Sequence, residues 1–452
     1  MEKKRLNLHF FSVDMNMVKG LTNREKQTFK LHMIYSILEG VVLGVLALNE
    51  FVFIKSINGS NYQLGFLFQF SMIVFLFLIF INEFLKRSKN KRRLLRIEGM
   101  ITRLPMFGIA FFPHTPEAFS GDSIYHYIFL AIFLVYFLGH PIEKPLINLF
   151  LKSNYRHKNF GLLYSYATTA NKVVMLVVTF AYGMLLDVDN YAFIYVFPVV
   201  ATLSIASIFI LSNIKYTPKK LVEESEVSFF KSIKKSAKRM YCILKTNHSY
   251  RHFEIGFMLY GFAFMTTVTV IYIFFDEELH LNYSSVAFYR NSYNIIAIAT
   301  LPFFGKLLGA LDPRKFGVIT YLSLALYLFF LAITQYFPYY TTVFSVQIYY
   351  TLILYIVFHG FFAATMPLLW NIGSAYFGDD DDADIYQSIH LWLTGLRAVF
   401  APLSGVFFYE VFGFTFSFAL AISALIIAIF VMKWSYNKRF LHADLKPQTT
   451  GT

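Results

Sequence analysis

A stripe of small and polar side chains runs along an otherwise apolar segment at residues 387–406. Steps of four, three, four and three residues separate His390, Thr394, Arg397, Ala401 and Ser404, so these side chains share one face of a helix. The segment is long enough to cross a bilayer, and an arginine at membrane depth normally faces a protein interior or a water-filled cavity. Because a guanidinium can hold a carboxylate or phosphate through two hydrogen bonds, the stripe predicts a site for an anion.

A second stripe repeats this spacing 225 residues earlier, around a lysine. It consists of Ser165, Thr169, Lys172 and Thr179. Two cations at equivalent positions would attract one anion from both sides. The alternative is that each cation pairs with a structural acid and stabilises packing. The residues that we predict to bind substrate are Lys172, Arg397, Arg290, Thr169, Thr394, His390 and Tyr260.

Acidic and titratable residues within the apolar segments suggest a proton. Glu39 lies near the middle of the first apolar segment and is the acid placed best to bind a proton within a membrane. Coupling of proton binding to anion binding is one interpretation, and a plain ion pair with Lys172 is the other. His359 is also predicted to take part in proton coupling, since histidine titrates near neutral pH. Glu50 and Glu143 lie near the ends of apolar segments and are predicted to reach water.

The sequence predicts neither a metal site nor a cofactor. Cys242 is the single cysteine, and no paired spacing of His and Asp accompanies the histidines of the apolar segments. The sequence contains no nucleotide-binding loop, no pair of catalytic carboxylates and no recognisable nucleophile with its base. An enzyme is therefore not expected.

The elements that position these residues are apolar segments of membrane-spanning length. Hydrophobic residues make up 57% of the 452 residues and charged residues 15%, whereas a soluble domain is about a quarter charged. We predict an all-α integral membrane protein with twelve transmembrane helices, at residues 30–54, 63–84, 97–113, 124–150, 160–185, 191–213, 253–275, 283–309, 315–335, 341–372, 386–409 and 413–433. Pro105, Pro113 and Pro116 interrupt the third span and make it the least regular.

The net charge of +13 comes from basic residues that cluster in alternate loops between the predicted spans. By the positive-inside rule, these loops and both termini lie in the cytoplasm of a multi-pass protein of the cell inner (plasma) membrane. The basic excess is thus topological and predicts no nucleic-acid partner. We expect a monomer that interacts with the lipid bilayer, a small-molecule substrate and protons.

The predicted spans divide the chain into five parts. A basic N-terminus (1–29) precedes a six-helix bundle (30–213), and a second six-helix bundle (253–433) precedes the C-terminal tail (434–452). Between the bundles, the linker at 214–252 alternates lysines with apolar residues at helical spacing, which predicts an amphipathic helix on the cytoplasmic membrane surface.

The two bundles carry an internal repeat. Besides the two stripes, Lys144-Pro145 matches Met366-Pro367 at an offset of 222 residues, and Gly40 matches Gly261 at an offset of 221. Three matches in the same order, at nearly one offset, predict a duplication of six helices.

Twelve spans, cytoplasmic termini, a long basic central loop and parallel halves together resemble the major facilitator superfamily. The segment from Gly305 to Lys315, with Asp312 and Arg314, is similar to that family's Gly-Leu-Asp-Arg-type turn after the eighth span, with three extra residues before the aspartate. The segment from Gly395 to Gly405 is loosely similar to the bent-helix motif of the family's antiporters, which lies in the fifth span. The resemblance implies two pseudo-symmetric six-helix halves and a secondary transporter that works by alternating access.

An arginine in the eighth span with a cation in the eleventh resembles the arrangement in carboxylate-transporting members of the superfamily. Combined with the two stripes, this predicts a symporter or antiporter for a small organic anion, such as a carboxylate or a carboxylate-type siderophore, coupled to protons. A drug or multidrug efflux transporter is the alternative within the superfamily, although buried positive charge disfavours cationic drugs. A membrane-embedded transferase and a non-transporting sensor are the alternatives from other classes.

Overall fold

The computed structural model describes residues 21–88, 90–216, 229–378 and 383–438. The predicted N-terminus up to residue 20, the first part of the linker and the tail from residue 439 lie outside the described residues. The prediction of an all-α membrane protein is confirmed, because nearly every described element is a helix.

The N-terminal half contains nine α-helices, several of which are pieces of one span. They are α1 (Asn23–Leu46), α2 (Asn49–Lys55), α3 (Asn61–Ile73), α4 (Leu78–Arg87), α5 (Lys91–Arg103), α6 (Ile124–Leu138), α7 (His140–Lys152), α8 (His157–Val188) and α9 (Phe193–Leu211). A 3₁₀ turn at Val74–Phe77 joins α3 to α4, and another at Leu104–Phe111 continues α5. Since Pro105 lies at the start of that second turn, the irregular third span predicted from its prolines is confirmed.

The linker helix α10 (Phe229–Thr246) precedes the helices of the C-terminal half. These are α11 (His248–Ile273), α12 (Tyr283–Ala310), α13 (Pro313–Thr334), α14 (Tyr350–Ile372), α15 (Ala383–Ala398) and α16 (Ala401–Asn437). A π-helical turn at Phe274–Glu278 extends α11. The helix predicted for the linker is thus present, and its position on a membrane surface stays a prediction.

The tenth predicted span begins about nine residues later than expected. Residues Tyr340–Val343 and Val346–Tyr349 form an antiparallel hairpin, β1–β2, before α14 starts. Phe344 and Ser345 adopt positive φ values of 47° and 64°, which reverse the chain between the strands. The apolar residues of 341–349 therefore form an outer hairpin and not the first turns of the span.

Nine helical stretches of the described chain are long and apolar enough to cross a membrane. The longest, at residues 385–437, has 53 residues, whereas a bilayer needs about twenty. Gly413, at φ 80° and ψ 179°, interrupts it between the eleventh and twelfth predicted spans. The second and third predicted spans correspond to α3–α4 and to α5 with its 3₁₀ turn. The count of twelve spans stays a prediction.

Equivalent glycines bring equivalent helices together in the two halves. A Cβ added to Gly40 on α1 would lie 2.6 Å from the Asn171 carbonyl oxygen of α8, and one added to Gly261 on α11 would lie 1.9 Å from the Arg397 guanidinium. Asn171 and Arg397 lie at matching places of the two stripes. The first span therefore packs on the fifth as the seventh packs on the eleventh, in agreement with the predicted repeat.

The two halves touch at their predicted outer ends. Lys55, at the end of α2, lies 3.2 Å from Asp276 and donates to the Leu281 carbonyl at 2.8 Å. Asp187, at the end of α8, accepts from the backbone N–H groups of Tyr283 and Ser284 at 2.7 and 2.9 Å. These contacts close the space between the halves on the outer side.

The inner ends of α8 and α12 lie apart. A Cβ added to Gly305 or Gly309 on α12 would meet no atom within 4 Å, and the neighbouring Phe303 is 64% exposed. Tyr164 and Tyr166, near the start of α8, are also exposed. The space between these two helices therefore opens toward the predicted cytoplasmic side.

Candidate functional site

A cavity of ≈ 210 Å³ lies between the halves, just inside the closed outer ends. Glu50 of α2 and Phe68 of α3 line it from the N-terminal half, and α11, α12, α13 and α14 line it from the other half. Most lining side chains are aromatic, among them Phe68, Phe264, Tyr272, Phe275, Tyr289, Tyr293, Tyr327 and Tyr355. A cavity with apolar rings and few polar groups is the usual form of a small-molecule site.

Arg290 provides the positive charge of this cavity. It lies about two turns into α12 and donates through Nη1 to the Tyr272 hydroxyl of α11. No ion pair joins Arg290 to a carboxylate within the described part of the chain. Its guanidinium is thus held by a neutral phenol and keeps hydrogen-bonding capacity for an anion.

Glu50 provides a carboxylate in the same cavity, contrary to the expectation that it reaches bulk water. The reason is a break in the first span at Ala47 and Leu48, after which α2 starts anew and directs Glu50 between the halves. The outer contacts of Lys55 then cover this end. Glu50 Oε2 is buried and has no hydrogen-bond partner.

His359 of α14 forms the centre of a stack of three rings in the cavity wall. Tyr293 lies on one side at 3.7 Å between ring centroids, and Tyr327 lies at 4.4 Å, both nearly parallel to the imidazole. The Nδ1 atom of His359 is buried without a partner. Of the residues predicted from the sequence, Arg290 and His359 are the two that line this cavity.

Arg397 lies elsewhere, inside the C-terminal half. It is 3% exposed, donates through Nη1 to the Phe257 carbonyl at 2.8 Å, and packs its guanidinium against Gly261. The structural acid that was the alternative to substrate contact is not bonded to it in the described chain. Its Nε atom has no hydrogen-bond partner.

The neighbours of Arg397 on its stripe are also used within the C-terminal half. His390 Nδ1 lies 3.0 Å from the Glu254 carboxylate, and Thr394 donates to the His390 carbonyl at 3.0 Å. Tyr260 stacks on Tyr321 of α13 at 4.7 Å, on the side away from Arg290. The structure therefore places these predicted residues in a cluster separate from the cavity.

Sequence reasoning missed Glu254, which is 3% exposed. It lies at the start of the seventh predicted span, where a carboxylate is easily taken for a hydrated group. Its signal is helical spacing, because Glu254 precedes Gly261 by seven residues and so shares the face that receives Arg397.

Lys172 and Thr169 lie on α8, which borders the space open to the predicted cytoplasmic side. Lys172 is half-buried, Thr169 is exposed, and neither has a hydrogen bond or ion pair with another described residue. The alternative of an ion pair between Lys172 and Glu39 is therefore not observed.

Glu39 instead belongs to a charged cluster inside the N-terminal half. The Arg103 guanidinium, 1% exposed, bonds Glu98 at 2.6 Å and also bonds Glu143. Glu39 lies within electrostatic range of Glu143 and Arg103 and accepts from Ser207 at 3.4 Å. Glu143, expected to reach water, is 4% exposed because Arg103 and Tyr35 hold its carboxylate in the bundle.

Sequence and structure comparisons agree on the kind of protein. Residues 255–450 match the model described as the Major Facilitator Superfamily, and no curated protein sequence matches. A mutant of the nucleoside transporter NupG is similar in structure, with 13% identity, a TM-score of 0.65 and coverage of 92% of this chain and 100% of that chain. The corresponding values for inward-open xylose transporter XylE from E. coli are 13%, 0.62, 89% and 95%.

A bacterial homologue of the human lysosomal transporter Spinster, in an inward-facing and unoccupied conformation, is similar with 13% identity and a TM-score of 0.63. The similarity covers 95% of this chain and 100% of that one. The predicted resemblance is confirmed: this is a multi-pass membrane protein with the fold of Major Facilitator Superfamily transporters and with that family's sequence in its C-terminal half, which places it among transporters and not among enzymes.

Proposed function

We propose that the chain is a secondary transporter for a small organic solute with an anionic group, such as a carboxylate, and that it couples transport to protons. The observation that carries the proposal is Arg290, a cation in the cavity between the halves whose hydrogen bond goes to a neutral tyrosine. A site between two pseudo-symmetric halves is exposed to each side in turn as the halves rock.

The charge of Arg290 is large enough to select an anion. At an effective dielectric near 20, two unit charges about 4 Å apart attract by roughly 4 kcal/mol before desolvation is subtracted. The cavity volume of ≈ 210 Å³ suits a small solute, since a cavity of about 150 Å³ holds one benzene molecule. The proposal therefore favours a small carboxylate over a siderophore.

Further cations support the same selectivity. Lys172, with the Thr169 hydroxyl on the same helix, borders the inner opening and would draw anions toward the cavity. Arg397 is proposed as a further anion-binding group, together with His390, Thr394 and Tyr260, because its Nε atom has no partner.

Glu39 is the proposed proton carrier. Three carboxyl groups, those of Glu39, Glu98 and Glu143, are grouped near one buried guanidinium, so one of them has no buried cation of its own. A proton relieves the repulsion among such carboxylates. Glu39 is half-buried and bonded only weakly, through Ser207, which leaves it the most accessible of the three. His359 in the cavity wall is the second proposed proton-binding group.

The test is binding and uptake of a series of monocarboxylates, from acetate to 3-phenylpropionate, by the purified protein and by proteoliposomes. Wild-type protein should be stabilised by at least one of them and should accumulate it when an inward proton gradient is imposed. Arg290→Gln should weaken binding tenfold to a thousandfold, and Arg290→Lys should weaken it less because the charge remains. Arg93→Gln, at an exposed arginine, is the control.

Equal binding by wild type and Arg290→Gln, or no binding of any member of the series, would overturn the assignment of an anionic solute. Export of apolar drugs is the second candidate, favoured by the aromatic lining of the cavity. It predicts that uncharged planar compounds bind wild type and Arg290→Gln equally well.

A further inference from the structure

The cavity that contains Arg290 also contains an acid with an unused bonding site. Glu50 Oε2 is buried and accepts no hydrogen bond, and no ion pair joins Glu50 to Arg290 although both line the cavity. Buried polar atoms in native proteins are almost always hydrogen-bonded, and each exception needs a physical reason. A ligand group that donates to Glu50 is such a reason.

The charges of the cavity wall bear on what that ligand can be. Arg290 attracts a carboxylate, whereas an ionised Glu50 in the same small space repels it. A ligand with a single negative charge therefore satisfies one wall group and opposes the other. A ligand that carries an anionic group and a protonated amine satisfies both.

The remaining surface favours a flat ring. Tyr293, His359 and Tyr327 stack in parallel along one wall, and the centroids of Phe68 and Tyr272 lie 5.4 Å apart on another. Aromatic walls favour an aromatic ligand through offset-stacked and edge-to-face contacts, and they also attract a cation. The volume of ≈ 210 Å³ leaves space for one ring with a short polar arm.

We propose that the solute of this cavity is a small aromatic zwitterion, of the size of an aromatic amino acid, whose carboxylate is bound by Arg290 and whose ammonium is bound by Glu50. This inference rests on the proposed function, since it takes the Arg290 cavity as the substrate site. It adds the positive group and the ring to the anionic group already assigned.

Three probes with one ring separate the groups: L-phenylalanine, 3-phenylpropionate, which lacks the amine, and 2-phenylethylamine, which lacks the carboxylate. Dissociation constants are measured at pH 7 with purified wild type, Glu50→Gln and Arg290→Gln, and with Glu117→Gln as a control at an exposed acid outside the cavity. Wild type should bind L-phenylalanine at least tenfold more tightly than either analogue. Glu50→Gln should weaken L-phenylalanine at least tenfold and leave 3-phenylpropionate unchanged or bound more tightly. Glu117→Gln should leave all three constants unchanged.

The inference is overturned if wild type binds 3-phenylpropionate as tightly as L-phenylalanine, if Glu50→Gln keeps the preference for L-phenylalanine, or if none of the three probes binds. Failure of the proposed function has a different signature, which is that Arg290→Gln binds carboxylates as wild type does. A protein that binds 3-phenylpropionate through Arg290 and gains nothing from the amine would keep the proposed function and exclude the zwitterion.

Discussion

Removal of the Arg103 charge should destabilise the N-terminal half far more than removal of an exposed arginine. Arg103 is 1% exposed and bonds two buried carboxylates, Glu98 at 2.6 Å and Glu143. Arg103→Gln leaves both carboxylates without their cation, and loss of one partner of a buried ion pair costs about 3–5 kcal/mol. Arg87→Gln is the matched control, because Arg87 pairs with Glu83 at 2.8 Å one helical turn away and is 38% exposed. Such a pair contributes about 0.3–0.5 kcal/mol.

The assay is the free energy of unfolding in mixed detergent micelles, measured for both single variants and for Arg103→Gln combined with Glu143→Gln. The combined variant should recover a large part of the loss, since it removes one of the two uncompensated charges along with the cation. A cost of Arg103→Gln below about 1 kcal/mol, or no recovery in the combined variant, would refute the view that Arg103 neutralises these carboxylates.

Three further predictions concern the proton, the cations and the close helix contact. Glu39→Gln should abolish uphill, gradient-driven accumulation of the solute while exchange of labelled solute continues, because glutamine carries no proton; undiminished accumulation would remove Glu39 from the coupling. Lys172→Ala and Arg397→Ala should insert normally yet bind the anionic solute about tenfold to a thousandfold more weakly, or about 1.4 to 4 kcal/mol, with Arg397→Lys impaired less; normal binding in both alanine variants would make the two cations structural. Gly261→Ala should lower thermal stability because its Cβ would lie 1.9 Å from the Arg397 guanidinium, whereas Gly305→Ala, which meets no atom within 4 Å, should not; equal melting of the two variants would contradict the close packing of α11 on Arg397.

The fold class and the repeat were readable from the sequence, because both rest on patterns that are local or repeated along the chain. Hydropathy alone marks helices long enough to cross a bilayer, and the equal spacing around Lys172 and Arg397 marks equivalent helices. The same spacing placed Gly40 and Gly261 in matching positions, where each receives a neighbouring helix. Burial of Arg397 followed from the high cost of a charge in lipid.

The membership of the candidate site was decided by the tertiary structure. Helical periodicity shows which side chains share a face, but it does not show which other helix that face meets. Arg397 and Arg290 both lie within spans, yet Arg397 faces Gly261 inside one half whereas Arg290 faces the space between the halves.

The acids show the same limit most clearly. Glu50 and Glu143 both lie near the ends of predicted spans, where sequence alone predicts contact with water. A break in the first span and the closure of the outer ends bring Glu50 into the cavity, and Arg103, forty residues away in the chain, holds Glu143 inside the bundle. Such pairings depend on how helices distant in sequence are arranged around one another, and only the folded chain fixes that arrangement.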